Sequence, residues 1–244
     1  AADSSSVDYL AARYAFWFDK SHSLVVEAHD SPRYLGMEPM LELSDSSKSN
    51  TVWYYQVDSF DDELFGRALR YLDKAAAAMP AELEYRVWKV SALMLYEKES
   101  PDMTLGLILS LIDEDRSTGQ KWLYQGEEQD RDFFDGLIQE FCWNLFNLGT
   151  PQAREAFLKV SEKMLSYDRK SPVFMANVGS YLMSVKEYKK ALKQFDKVLK
   201  LDPDNDTAIR NCVTIARILR DDKLKSRYNP MLSRLSSGGT AASY

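Results

Sequence analysis

Histidine is scarce in this chain. His22 and His29 are its two copies, and they carry most of the prospect for proton transfer near neutral pH. His29-Asp30 would make an oriented base, yet no nucleophile motif stands near it. The run Asp202-Pro203-Asp204-Asn205-Asp206 spaces its carboxylates as a calcium loop does. Such a loop needs glycine at its sixth position and glutamate at its last; Thr207 and Val213 stand there instead. The run reads better as a turn that stops one helix and caps the next. Glycine-rich phosphate loops and paired zinc-type cysteines and histidines are absent from the sequence, so no cofactor and no metal are expected. Cys142 and Cys212 each fall inside an apolar-periodic segment, which predicts buried, unlinked thiols.

The elements that would position such groups are mostly helical. Of 244 residues, 45% are apolar and 12% aromatic, which suffices for a full core. Ten glycines and eight prolines are few for a turn-rich all-β chain and suit helices joined by short loops. The net charge of −6, with basic residues mixed among acidic ones, argues against a nucleic-acid partner. No apolar run is long enough to span a bilayer. The sequence begins at Ala1 without methionine, which suits export to a bacterial periplasm or envelope after signal removal, or else a trimmed cytoplasmic chain.

Along the chain, residues 1–50 hold one helix, Val7 to Asp19, and then an irregular stretch. In that stretch Leu24-Val25-Val26 is readable as a strand or a helical turn, and residues 44–50 as a polar loop. Thr51 to Val57 is aromatic and β-prone. Asp61-Asp62-Glu63 opens a helix, where acidic groups suit the positive end of the dipole. Its face is Leu64, Ala68, Leu72, Ala75 and Ala76, and Pro80 ends it. Further helices are expected at Leu83–Glu97 (with Leu95 on the core face), Met103–Asp113, Phe134–Leu148 and Ala153–Tyr167. Residues 117–131 interrupt the rhythm as an insertion. Near the end, Asp221 to Tyr228 reads as a helix broken at Asn229-Pro230, with a last turn through Leu235 and a loose tail over 236–244.

The clearest stretch is Ser171 to Asp206. Met175, Val178, Gly179 and Leu182 share one helical face, as do Ala191, Leu192, Phe195, Val198 and Leu199 on the helix that follows. Met175-x2-Val178-Gly179-x2-Leu182, then Ala191-x3-Phe195, then Pro203, resembles the tetratricopeptide repeat. Ala68-x3-Leu72, Ala75 and Pro80 resemble the second half of the same repeat. Three periods of about 34 residues fit between Pro80 and Pro203 with about 21 left over, the size of the insertion with some slack.

The resemblance implies an all-α fold, a right-handed α-α solenoid of antiparallel helix pairs over residues 51–235. It implies a protein- or peptide-binding scaffold that uses its concave face, with no catalytic role. On that face the resemblance places Ala176, Asn177, Ser180 and Met183, and in the next repeat Arg210, Thr214 and Arg217. Two arginines on one helical face would take an acidic side chain or a C-terminal carboxylate. The five-residue clamp by which some family members hold a chaperone's C-terminus is matched only at Asn177, with Thr207 and Asn211 in the later places and Ile138 and Cys142 in the earlier ones. Two alternatives stand beside this reading. One is an enzyme or small-ligand site near His22 and His29; the other is a self-assembling structural subunit, a homo-oligomer joined through apolar helix faces.

Overall fold

The computed structural model describes residues 6–47, 50–98 and 100–238. The chain is mostly helical, with two small sheets, and it divides into two compact units, Ala1–Ala156 and Phe157–Tyr244. The all-α expectation thus holds for the helical majority and fails in two places, residues 22–60 and 122–129.

The first unit starts with α1 (Val7–Ser21), capped by the Ser6 side chain, which accepts from Tyr9 N. The stretch that looked irregular contains β1 (His22–His29) and β2 (Leu41–Ser44); with β3 (Thr51–Phe60) they form an antiparallel sheet in the order β1-β3-β2. The strand reading of Leu24-Val25-Val26 is therefore the right one. Tyr55 and Val57 of β3 are buried and define the sheet's inner face. Asp61 ends β3 and caps α2 (Asp62–Ala78), its carboxylate accepting from Leu64 N at 2.9 Å. Phe65, Ala68, Leu72 and Ala75 are the buried face of α2, which packs on both α1 and α3 (Glu84–Glu97). On α3 the core stripe is Tyr85, Val90, Ala92 and Leu93. Leu95, expected inside, is 44% exposed because that stripe is rotated away from it.

The interruption at 117–131 is partly helix and partly hairpin. The helix α4 (Asp102–Thr118) runs past its expected end to the left-handed Gly119, and β4 (Trp122–Tyr124) pairs with β5 (Glu127–Gln129). Their two-residue turn, Gln125-Gly126, has φ of 52° and 80°, the left-handed pair that a tight hairpin of this hand requires. The hairpin is fastened to the α2–α3 corner. Leu83 N donates to Leu123 O at 2.8 Å and Leu123 N to Ala81 O at 2.9 Å. The buried Glu82 carboxylate accepts from Gln125 N at 3.0 Å and from Gly126 N at 3.1 Å. Behind the hairpin, Trp122 stacks on Phe134 of α5 (Arg131–Leu148) and donates to Asp115 at 3.0 Å.

The second unit takes up α6 (Pro151–Tyr167) from Phe157 onward and adds α7 (Pro172–Ser184), α8 (Tyr188–Leu201), α9 (Asp206–Ile218) and α10 (Asp222–Gly238). α7 packs against α8 and also against α9, α8 against α9, and α9 against α10. One core joins them through Met175, Ala191, Phe195, Val198, Cys212, Ile215 and Tyr228. Gly179 meets the Phe195 ring where α7 and α8 cross; a Cβ there would stand 2.5 Å from a ring carbon. Asn205 caps α9 by accepting from Ala208 N. The expected break at Asn229-Pro230 does not occur. Burial of Tyr228 on one side, and packing of Met231 and Leu232 on the other, carry α10 through the proline to Gly238, against a cost of about 3 kcal/mol. The tail expected at 236–244 begins inside that helix, and its last six positions lie outside the described residues.

Candidate functional site

On α9 the separation of faces is complete. Ala208, Ile209, Cys212, Val213, Ile215 and Ala216 are buried, while Arg210, Thr214 and Arg217 are exposed. The Asn205 cap fixes where the helix starts and so which way each residue points. Arg210 donates through Nε to both Asp206 carboxylate oxygens at 2.7 Å, and that hydrogen bond raises its pKa further. An exposed pair of this kind contributes little to stability. Arg217, one helical face along, is exposed, and among the described residues it forms no ion pair.

α7 meets this strip through a side-chain bond. Asn211 Nδ2 donates to Ser180 Oγ at 3.2 Å, and Ser180 Oγ donates to Ala176 O at 3.0 Å. The free sides of α7 and α9 therefore adjoin at Ser180. The other residues assigned to α7 are less accessible. Ala176 is buried, and Met183 is half-buried against the core. Asn177, 5% exposed, donates to Ser161 Oγ of α6 at 3.2 Å and faces the interior. A polar residue at that spacing is indistinguishable in sequence from a surface one; only its buried partner Ser161 separates the two.

In the first unit each histidine has found a carboxylate. His22 Nε2 lies 2.6 Å from Asp58 Oδ1, a diagonal neighbour across the β1–β3 ladder, with the His22 ring near Phe18 and Phe60. His29 Nε2 lies 3.3 Å from Glu27 and its ring stacks on Tyr34 at 3.8 Å. Seven residues apart on one strand, roughly 23 Å at ~3.3 Å each, and with opposite parity, the two rings face opposite sides of the sheet. They cannot act on one substrate. Beside Asp58 lies an open cleft of about 430 Å³ lined also by Phe60, Asp62, Tyr96, Glu97 and Lys98. Its acids are engaged: Asp62 accepts from Tyr96 at 3.0 Å, and Glu97 caps α4 by accepting from Met103 N and Thr104 N. Among the described residues no group of three or more acidic, histidine or cysteine side chains is arranged around a common point.

Two surface features escaped the reading of the sequence. The outer face of the sheet exposes Leu24, Val26, Leu41, Leu43 and Val52; the apolar Val25 between the first two blurs their period-2 spacing in the sequence. The second is a basic stripe on α2, Arg67, Arg70, Tyr71 and Lys74, around a small cavity. Its i, i+3, i+4, i+7 spacing was visible.

No protein-family model matches the chain, and no curated protein shows significant sequence similarity to it. Among the described residues no helix is long and apolar enough to cross a membrane.

Proposed function

We propose that the chain is a non-catalytic scaffold and that α7 to α10 are a short right-handed solenoid of tetratricopeptide-like helix pairs. Its open face holds an acidic peptide segment or a C-terminal carboxylate of a partner protein. The observation that carries the reading is the exposed strip of Arg210, Thr214 and Arg217 on α9, bordered by the half-buried Ser180 of α7, on two helices whose opposite sides are core. The packing of α7 on both α8 and α9 supports the repeat-like pairing. Arg217 brings a cation without an intramolecular partner among the described residues, and Arg210 can exchange Asp206 for a ligand carboxylate at little cost. Met183 would line the edge of the same surface; Asn177 lies beneath it.

The test is selection from a library of peptides with free C-termini, on the parent and on Arg210→Ala/Arg217→Ala. Acidic peptides should be enriched by the parent. The double variant, altered only at exposed positions, should melt as the parent does and lose about 1–3 kcal/mol of binding per charged hydrogen bond removed. Equal binding by both proteins removes these arginines from the site.

The outer face of the sheet favours a second reading, assembly into a homo-oligomer. Five exposed apolar side chains on one small sheet, with β1 an unpaired edge, are a known route to strand or sheet association. Sedimentation velocity of the parent and of Val26→Lys decides it: a concentration-dependent oligomer lost in the variant supports assembly, and a monomer throughout excludes it.

A further inference from the structure

The face that α1 and α2 share in the first unit gathers positive charge, although the chain's net charge is −6. Arg67, Arg70, Tyr71 and Lys74 line a cavity of about 110 Å³. Arg13 comes to the same place from α1, its guanidinium carbon 5.6 Å from the centre of the Tyr71 ring. Aromatic rings hold these cations from behind. Arg67 lies over Trp17 at 3.9 Å, Arg13 is 5.2 Å from the Trp17 ring, and Lys74 is 5.6 Å from that of Tyr71.

What is missing is a counter-charge. Elsewhere in this unit basic side chains find acids, Lys89 with Asp73 and Arg86 with Glu114. Among the described residues Arg13, Arg67, Arg70 and Lys74 form no ion pair. Two buried donors in the cluster, Arg13 Nε and Trp17 Nε1, fall short of full hydrogen-bonding geometry; the acceptor that Arg13 and Trp17 approach is the Tyr71 hydroxyl oxygen, which carries no charge. The Tyr71 hydroxyl registers the resulting field. Arg13 above all, with Arg67 and Trp17 also contributing, holds its pKa below the ordinary phenol range, against the opposing effect of burial.

We propose that this cavity binds a phosphate or sulfate group, either as the free ion or as the charged end of a small monoester. The cavity is small, yet larger than a single water needs. That admits a tetrahedral oxyanion among the three basic side chains that line it. Arg67 and Arg70 supply the flat donor forks that match such oxygens, and Lys74 supplies a point charge. The Tyr71 proton, uncommitted among the described residues, is free to donate to a ligand oxygen. Three cations lining one small cavity, with Arg13 beside it, call for a dianion rather than a single carboxylate. This site shares no residue with the strip on α9, so either assignment can fail without the other.

The experiment uses the whole chain at fixed ionic strength, made up with chloride so that general screening is constant. Inorganic phosphate and glycerol 3-phosphate are titrated while melting temperature and ³¹P line width are followed. Saturable broadening and a rising melting temperature are expected with at least one of them. Tighter binding of the monoester identifies a carried group; equal or tighter binding of phosphate identifies the free ion. Arg70→Gln/Lys74→Gln should weaken the effect about 10- to 100-fold, the loss expected for one charged hydrogen bond, while Arg210→Ala/Arg217→Ala should leave it intact. A parent that responds to neither anion beyond chloride overturns the proposal, as does an undiminished response in Arg70→Gln/Lys74→Gln. The line-width measurement on the parent needs no variant, so misfolding of a variant leaves the question answerable.

Discussion

Replacing Gly179 with alanine sets two effects against each other. In a helix interior alanine is better than glycine by about 1 kcal/mol. Its Cβ, however, would stand 2.5 Å from Phe195 Cε1 and 2.8 Å from Cδ1 and Cζ. Carbon atoms in contact prefer ~3.5–4.0 Å, so the overlap is about 1 Å. The ring has nowhere to go: Phe195 is fully buried in one core with Ala191, Val198 and Cys212. Overpacking of this kind costs about 1–3 kcal/mol, and contact with a rigid ring belongs at the upper end. The net loss is then about 1–2 kcal/mol, a fall in melting temperature of roughly 2–8 °C for a chain of this size. Leucine at the same position should cost more. Thermal and urea unfolding followed by far-ultraviolet circular dichroism would measure it, with Phe195→Leu completing a double-mutant cycle. In the Phe195→Leu background the alanine should become neutral or stabilising, because the ring it strikes is gone. If Gly179→Ala raises the stability of the parent by the full helix-propensity gain, the α7–α8 crossing is not close and the argument fails.

Two further predictions concern buried groups in the core of the second unit and their counterparts in the first. Burial pushes the Cys212 thiol up to about 12, and Cys142 is likewise buried. Both should resist a thiol reagent at pH 8 until the chain is unfolded, and rapid labelling of native protein would contradict this. Burial, and then its hydrogen bond to Asp196, raises the pKa of Tyr228, and burial raises that of Tyr14 to about 12. The native chain therefore keeps protons that the unfolded chain releases above about pH 10. These two phenols leave stability unchanged below that pH and lower it as the pH climbs beyond, while the Cys212 thiol, raised from its ordinary 9.0, starts the decline about one pH unit earlier. Tyr228→Phe should shallow the decline; alkaline melting curves that run parallel for parent and variant would refute the assignment.

Helices were legible where periodicity and caps agreed. Asp61 before an apolar stripe, and Asn205 before Ala208 and Ile209, fix both the start and the facing of α2 and α9. Residues 22–60 were not legible as a sheet because β1 and β2 expose Leu24, Val26, Leu41 and Leu43 instead of burying them. The alternation that marks a half-buried strand is blurred when apolar residues sit on both faces. Pro230 misled in the opposite direction: a local penalty was outweighed by Tyr228, Met231 and Leu232 packing against a core assembled from distant residues. Of the candidate strip, the exposure of Arg210, Thr214 and Arg217 followed from helical spacing, and their assignment to a binding face from the resemblance. Asn177 was not, since its position depends on Ser161 in another helix. The basic stripe on α2 was present as a pattern, but that its cations form no ion pair among the described residues depends on which elements pack nearby.

The attachment of the hairpin at Glu82 has a kinetic side. Its bonds to Gln125 and Gly126 join positions 82 and 125, so that α3 and α4 lie within a loop shut by non-covalent contacts. Doubling the length of such a loop adds only about 0.6 kcal/mol of closure entropy, which makes so long an excursion tolerable. The carboxylate can receive those amides only after the α2–α3 corner and the hairpin turn both exist. Closure therefore belongs late in folding, after the local helices. In the native chain the same bonds should part together, releasing the amides of Leu83, Leu123, Gln125 and Gly126 to solvent exchange as one cooperative unit.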